Sequence, residues 1–235
     1  MKIIITATKE EMGALAAGIF SEEIRKKPDI VLGLATGSTP LPLYRELIRR
    51  CAAGEIDFSK VTTINLDEYV GLPGSHDQSY RYFMDENLFS HINIDPARTN
   101  LPDGTAKDPA AECLRYDKVI DAAGGIGLQL LGIGPNGHIG FNEPADVFPA
   151  RTQVATLTES TINANARFFA DQSEVPRHAL SMGIRDIMLA EKIVLVAGPE
   201  KKGIVEKALN GEITPQVPAS ALQLHHDVTV ILAER

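Results

Sequence analysis

The sequence holds no apolar run longer than a β-strand requires, which excludes a membrane-spanning helix. Basic residues are outnumbered: 23 Lys and Arg against 31 Asp and Glu leave a net charge of −8, which argues against nucleic acid as a partner. Such a chain binds an anion through local devices instead: helix N-termini, glycine turns and a few placed cations. Cysteine is scarce. Cys51 and Cys113 fall in helix-like segments with no His or Cys nearby at ligand spacing, so both read as reduced and structural and no metal site is legible. No Gly-Lys-Ser/Thr follows a glycine loop, which disfavours nucleoside triphosphates, and no serine nucleophile elbow occurs. Met1-Lys2 runs directly into Ile3-Ile4-Ile5 and a helix pattern with Glu10 and Glu11. That is not a secretory signal, and the cytoplasm is the expected compartment. There is no internal repeat, low-complexity tract or linker, and 235 residues suit one domain with a sizeable core.

What is present is an alternation of strands and helices. Ile30 to Ala35 is a continuous apolar run, as expected of a strand covered on both faces; Leu128 to Leu131 and Ile193 to Ala197 read as buried strands, and Val61 to Leu66 and Val228 to Leu232 as further strands. Between them lie segments with helical spacing. Thr8-x-x-Glu11 is a capping box ahead of Met12, Leu15, Ala16 and Ile19. Pro40 suits a first helical position, with Ser38 or Thr39 as the cap, before Leu43, Tyr44, Leu47 and Ile48. Tyr80 to Leu88 reads as a helix, and Pro109 opens another that Gly124-Gly125 closes. Arg151 to Thr158 reads as extended, Glu159 to Ala170 as a polar, mobile segment, and Gly183 to Leu189 as a short helix. The pattern predicts an α/β fold: a Rossmann-like, mainly parallel sheet with helices on both faces.

In such a sheet ligands bind beyond the carboxyl ends of the strands. The polar signatures of this sequence fall there. Thr36-Gly37-Ser38-Thr39 joins a strand to a helix N-terminus, a combination suited to phosphate, and Lys201 at another helix start supplies a cation. Asp67 follows directly on a buried strand, where partial desolvation would make it a usable base; capping of the next turn by Asp67 or Glu68 is the alternative. The densest stretch is Gly132 to Pro144, where four glycines surround Asn136, His138, Asn142 and Glu143. His138 can move a proton near neutral pH if Glu143 or Asn136 holds its ring. The remaining histidines, His225 and His226 included, read as loop or surface residues. A phosphate seat, a base and a histidine around one cleft suit proton abstraction beside a carbonyl or imine of a sugar phosphate.

Three stretches carry a family resemblance: Asn65 to Leu72, Gly132 to Pro144 with Phe141-Asn142-Glu143-Pro144, and Ser220 to His225. Together, and over essentially the whole chain, the sequence resembles the glucosamine-6-phosphate deaminases. The resemblance implies conversion of glucosamine 6-phosphate to fructose 6-phosphate and ammonia, with no metal and no organic cofactor. It implies Asp67 as the base, His138 as the ring-opening proton carrier with Glu143 in its relay, and Gly37, Ser38, Thr39, Arg167 and Lys201 around the phosphate. It implies a lid at about residues 152–182 within a single domain, and a monomer or small homo-oligomer whose partner is a sugar phosphate rather than nucleic acid or membrane.

The sequence departs from many members in carrying Asn136 where they have Asp; an amide orients its neighbours but relays no proton. Gln153 and Ala155 stand where allosteric members have basic residues, and the longer C-terminal segment of those members is not present, so weak or absent activation by an acetylated amino-sugar phosphate is expected. The alternatives are a 6-phosphogluconolactonase-like hydrolase, which would be expected to lack Phe141 to Pro144, a galactosamine-6-phosphate deaminase, and a non-catalytic sugar-phosphate sensor.

Overall fold

The computed structural model describes residues 1–235. Ten strands are formed. In chain order they are β1 (Lys2–Thr6), β2 (Val31–Leu34), β3 (Thr62–Asn65), β4 (Asp67–Tyr69), β5 (Thr99–Asn100), β6 (Leu128–Leu131), β7 (Gln153–Thr156), β8 (His178–Ser181), β9 (Lys192–Ala197) and β10 (Val228–Ala233). Seven helices join them: α1 (Lys9–Lys26), α2 (Leu41–Ala52), α3 (Tyr80–Asn87), α4 (Pro109–Ala122), α5 (Glu159–Asn165), α6 (Ile184–Met188) and α7 (Lys202–Asn210).

Seven strands make one sheet in the order β1-β10-β9-β6-β2-β3-β5, and every pairing in it is parallel. The expected parallel sheet is therefore observed. Its central strands β2 and β6 are buried along their full length, because helices cover both faces and no position is left to face water. Helix ends follow their capping chemistry where the sequence supplies it. Thr8 accepts the Glu11 N–H at 3.1 Å while Glu11 accepts the Ala7 N–H at 2.9 Å, and Asp108 accepts two N–H groups at the start of α4.

From β2 the chain proceeds outward to β3 and β5, whereas from β6 it proceeds the opposite way to β9 and β10. The loops after β2 and β6 therefore part company and leave a crevice between them, the usual ligand position in an open α/β sheet.

The remaining three strands form a second, antiparallel sheet in the order β4-β8-β7. Asp67-Glu68-Tyr69 thus leaves the main sheet rather than extending β3, with Asp67 opposite Ser181 and Tyr69 opposite Ala179. The polar stretch after Thr158 is helical: it carries α5 and a 3-10 turn over Ala166–Phe168. Residues 152–182, the cap, carry β7, α5 and β8, and a small apolar cluster joins their Leu157, Ile162 and Val175 to Tyr69 and Phe141. Each such side chain contributes about 1.5–3 kcal/mol by burial. At the cap's stem the Arg151 guanidinium reaches Asp121 at 2.7 Å, Asp186 at 3.0 Å and Asp117 at 3.3 Å, fastening the start of β7 to α4 and α6.

Candidate active site

A cleft of about 610 Å³ opens at the carboxyl edge of the main sheet, between the loops after β2 and β6 and beneath the cap. Gly37, Ser38, Thr39, Asp67, His138, Arg167 and Lys201 all line it. The first wall is the loop into α2. Here Ser38 and Thr39 do not cap the helix: α2 begins at Leu41, with Pro40 before it and no side-chain cap. Two prolines, Pro40 and Pro42, already remove N–H groups from its first turn, which lessens the need for a side-chain acceptor. The two hydroxyls remain at the cleft, beside a helix end with no acidic residue in its first turn.

Across the cleft Lys201 and Arg167 approach one another. Burial draws the Lys201 ammonium below its ordinary value; Glu200 opposes this and the Arg167 charge adds to it. The Arg167 guanidinium lies over the Phe168 ring at 4.6 Å. Two like charges at one cleft both gain when a multiply charged anion sits between them.

Asp67 is 6% exposed. Burial, followed by the charge of Glu68, pushes its carboxyl up to about 8. Its Oδ2 looks toward Gly140, whose φ of +55° is a left-handed conformation and where even a Cβ would come within 3.6 Å of that oxygen. The capping alternative goes to the neighbouring residue. Glu68, not Asp67, accepts the N–H groups of Tyr80 and Arg81 at the start of α3.

His138 lies against the backbone of Gly134, where a Cβ would fall 2.2 Å from the ring, so any larger residue would displace the imidazole. Its Nδ1 faces Glu143 Oε2 at 3.4 Å, an ion-pairing distance rather than a formed hydrogen bond. Asn136 does not hold the ring. Its amide donates to Glu143 Oε2 at 2.6 Å, and its oxygen accepts the backbone N–H of His138 at 3.2 Å. Asn136 and Glu143 thus lie behind His138 and outside the lining of the cleft. Burial works to raise the Glu143 carboxyl, but His138, then Thr161 and Asn136, outweigh it and hold it down at about 2. An ionised Glu143 behind the imidazole fixes which ring nitrogen faces the cleft.

The turn bearing these groups is pinned to the cap. Phe141 N–H donates to Ser181 Oγ at 2.9 Å, and Asn142 donates to the carbonyls of Ile139 and Met182, both at 2.8 Å. Gln153 donates to Asn142 Oδ1 at 3.1 Å.

Several site residues escaped the sequence reading. Tyr69, Tyr80 and Asn165 line the cleft, and Asn165 donates to the Tyr69 hydroxyl at 2.9 Å, tying α5 to the strand of Asp67. Thr158 donates to Glu143 through its hydroxyl at 3.3 Å while its side chain caps α5. A Thr just ahead of Glu159 was a legible helix-start signal; nothing local to Tyr69 or Asn165 marked their meeting. His225 is also not a surface residue. It is 6% exposed, accepts the Asp227 N–H at Nδ1 and meets the Ala190 carbonyl at 2.8 Å, a structural role far from the cleft.

Fold and site together define an α/β protein whose switch-point cleft is equipped for proton transfer on a small anionic ligand. The chain belongs to the family described as glucosamine-6-phosphate isomerases/6-phosphogluconolactonase, whose sequence pattern matches residues 6–231. It is 57% identical to the glucosamine-6-phosphate deaminase of Lachnoclostridium phytofermentans over 98% of both chains. It is 55% identical to that of Clostridium perfringens strain 13 over 100% of this chain and 97% of the other. Its backbone matches the structure of a monomeric glucosamine-6-phosphate deaminase with a TM-score of 0.97 at 47% identity, covering 99% of this chain and 97% of that one. A 6-phosphogluconolactonase from Trypanosoma cruzi shares the fold at a TM-score of 0.78 and 19% identity, over 99% of this chain and 94% of the other.

Proposed function

We propose that the protein deaminates glucosamine 6-phosphate to fructose 6-phosphate and ammonia, with Asp67 as the base that isomerises the open-chain sugar. The single observation that carries the mechanism is the pairing, in one cleft, of a buried carboxylate free of caps with a histidine backed by an ionised glutamate. The identity of 57% to a deaminase over nearly the whole chain supports the substrate, whereas the lactonase likeness supports the fold alone.

Ser38 and Thr39 with the α2 N-terminus, Arg167 and Lys201 receive the phosphate. His138 takes or gives the proton that opens the pyranose, and Glu143 orients its ring. Asp67 removes the proton from C2 of the aldehyde form; the electron pair moves through the C1–C2 bond to the carbonyl oxygen, which takes a proton given up by the neighbouring ammonium, giving an enolamine. Asp67 returns the proton to C1, leaving a ketimine at C2. Water adds to it, and the amine departs as ammonia. The substrate ammonium beside Asp67 favours the ionised carboxylate, so binding prepares the base.

Three finer readings belong to the same proposal. Residues 152–182 act as a lid that substrate phosphate draws down through Arg167. The protein works as a monomer, supported by the monomeric structure it resembles, and size measurement by light scattering tests this. It acts in the cytoplasm in the breakdown of N-acetylglucosamine.

The test is release of ammonia from glucosamine 6-phosphate with fructose 6-phosphate followed in parallel. Equal appearance of both supports the reading. No product from it, with turnover of galactosamine 6-phosphate or of the lactone, refutes the substrate.

A further inference from the structure

The mechanism above uses Asp67 and leaves its neighbour without a task. Glu68 is 2% exposed and sits in the strand that carries the base. Side chains alternate along a strand, so the two carboxylates point to opposite sides of it. Those of Glu68 are fully engaged: Oε1 accepts the N–H groups of Tyr69 at 2.8 Å and Tyr80 at 2.9 Å, and Oε2 accepts that of Arg81 at 2.9 Å. The last two are N–H groups of the first turn of α3, which have no partner inside the helix. Tyr80 and the buried Ser79 before it form a wall of the cleft. Gly104 presses on the same joint, since a Cβ there would fall 2.2 Å from the Tyr69 carbonyl and 3.2 Å from Glu68 Cγ. One buried carboxylate therefore stitches the strand of the base to a helix of the cleft wall.

Holding the helix explains the oxygens but not the charge placed next to a base. Glu68 is the charged group that bears on Asp67, and the phenols that sense the Asp67 charge are those of Tyr44, Tyr69, Tyr80 and Tyr116, of which Tyr44 donates to the Ala35 carbonyl and Tyr116 to the Asn65 carbonyl. Glu68 itself is faced by Asp103, from the loop before α4. The Arg81 guanidinium is turned away, onto Asp85 and Thr99. No cation among these groups neutralises the pair. Burial raises the Glu68 carboxyl to about 7 even though its three N–H donors favour the ionised form.

We propose that Glu68 is a positioning residue for the deamination: it fixes the strand of Asp67 against α3 and places its own carboxylate charge next in the chain to the base. This rests on the function proposed above. A stronger base abstracts faster once ionised, at the cost of a smaller ionised fraction at low pH.

The experiment compares the full-length wild type, Glu68→Gln and Asp67→Asn, measuring kcat/KM for glucosamine 6-phosphate between pH 5.5 and 9.5. Titration of the substrate is common to all and cancels. Glutamine retains an acceptor for Tyr69 and Tyr80. Its acid limb is expected to move down by about one pH unit and its plateau to fall about 3-fold with KM little changed, so the two profiles cross. An acid limb that stays in place, with kcat merely scaled or KM alone raised, overturns the proposal and leaves Glu68 a helix anchor. Should Glu68→Gln not fold, the carboxyl carbon of Asp67 is titrated by carbon-13 NMR in the wild type, assigned by its loss in Asp67→Asn. A two-step curve supports coupling to Glu68; a single step overturns it. Asp67→Asn separates the two readings. Near-normal turnover there refutes the mechanism itself, whereas an inactive Asp67→Asn beside an unshifted Glu68→Gln refutes this inference alone.

Discussion

Asp67→Asn should stabilise the protein while abolishing turnover, and the gain should depend on pH. Asp67 ordinarily titrates near 3.8, and in the fold its carboxyl is pushed up to about 8, by burial first and by Glu68 second. Between those values the unfolded chain has lost the proton that the folded chain keeps. Unfolding then releases one proton, and wild-type stability falls by about 1.4 kcal/mol for each pH unit gained. This contribution is fully present below pH 3.8 and is lost as pH rises through about 8. Asparagine cannot ionise and is spared the loss. The stability of Asp67→Asn relative to wild type should therefore grow by up to about 3 kcal/mol between pH 5 and pH 7, which for a domain of this size is about 6–12 °C in Tm. Above pH 8 the gap should level off. The assay is thermal or urea unfolding of both proteins across pH 4 to 9, with turnover measured on the same samples. A stability gap that does not change with pH refutes the reasoning, because it would mean that Asp67 ionises in the fold as easily as in the unfolded chain.

The other expectations concern the proton relay, the phosphate seat, the cap and regulation. His138→Gln should lower kcat most with the closed pyranose; equal loss on an open-chain analogue argues against ring opening by His138. Asn136→Asp puts a second carboxylate 2.6 Å from Glu143, so one of the two must hold a proton near neutrality and the acid limb of the pH–rate profile should move up; an unchanged limb refutes the close pairing. Lys201→Ala should raise KM about 10-fold or more with a smaller change in kcat, read from saturation curves; an unchanged KM removes it from the phosphate seat. Arg151→Met leaves buried Asp186 and Asp117 without their cation and should cost about 3–5 kcal/mol in urea unfolding, while loss within 0.5 kcal/mol would make the cluster dispensable. An acetylated amino-sugar phosphate should leave the saturation curve in place, since Gln153 is engaged with Asn142 and Ala155 is buried; a leftward shift on its addition refutes this.

By itself the sequence determined the elements whose signals are local. Apolar runs without alternation mark strands covered on both faces, and β2, β6, β9 and β10 form where those runs lie. The Thr8–Glu11 capping box opens α1 as written, because all its partners lie within about one turn. The parallel sheet and its ligand edge follow from alternation alone, which is why Ser38, Thr39, Asp67, His138 and Lys201 were legible as candidates before any contact was known. Tertiary structure decided what those residues face. A three-residue strand such as β4 carries too little pattern to announce its partner, and it pairs with β8, far along the chain. That pairing takes Asp67 out of the main sheet, turns Glu68 onto α3 and builds the cap over the cleft. Asn136 meets Glu143 rather than the His138 ring, and His225 is buried against the Ala190 carbonyl, for the same reason. Residue type and spacing tell which hydrogen bonds a side chain is able to make, but burial and the choice among partners belong to the packed chain, where an unpaired polar group costs more than any local preference supplies.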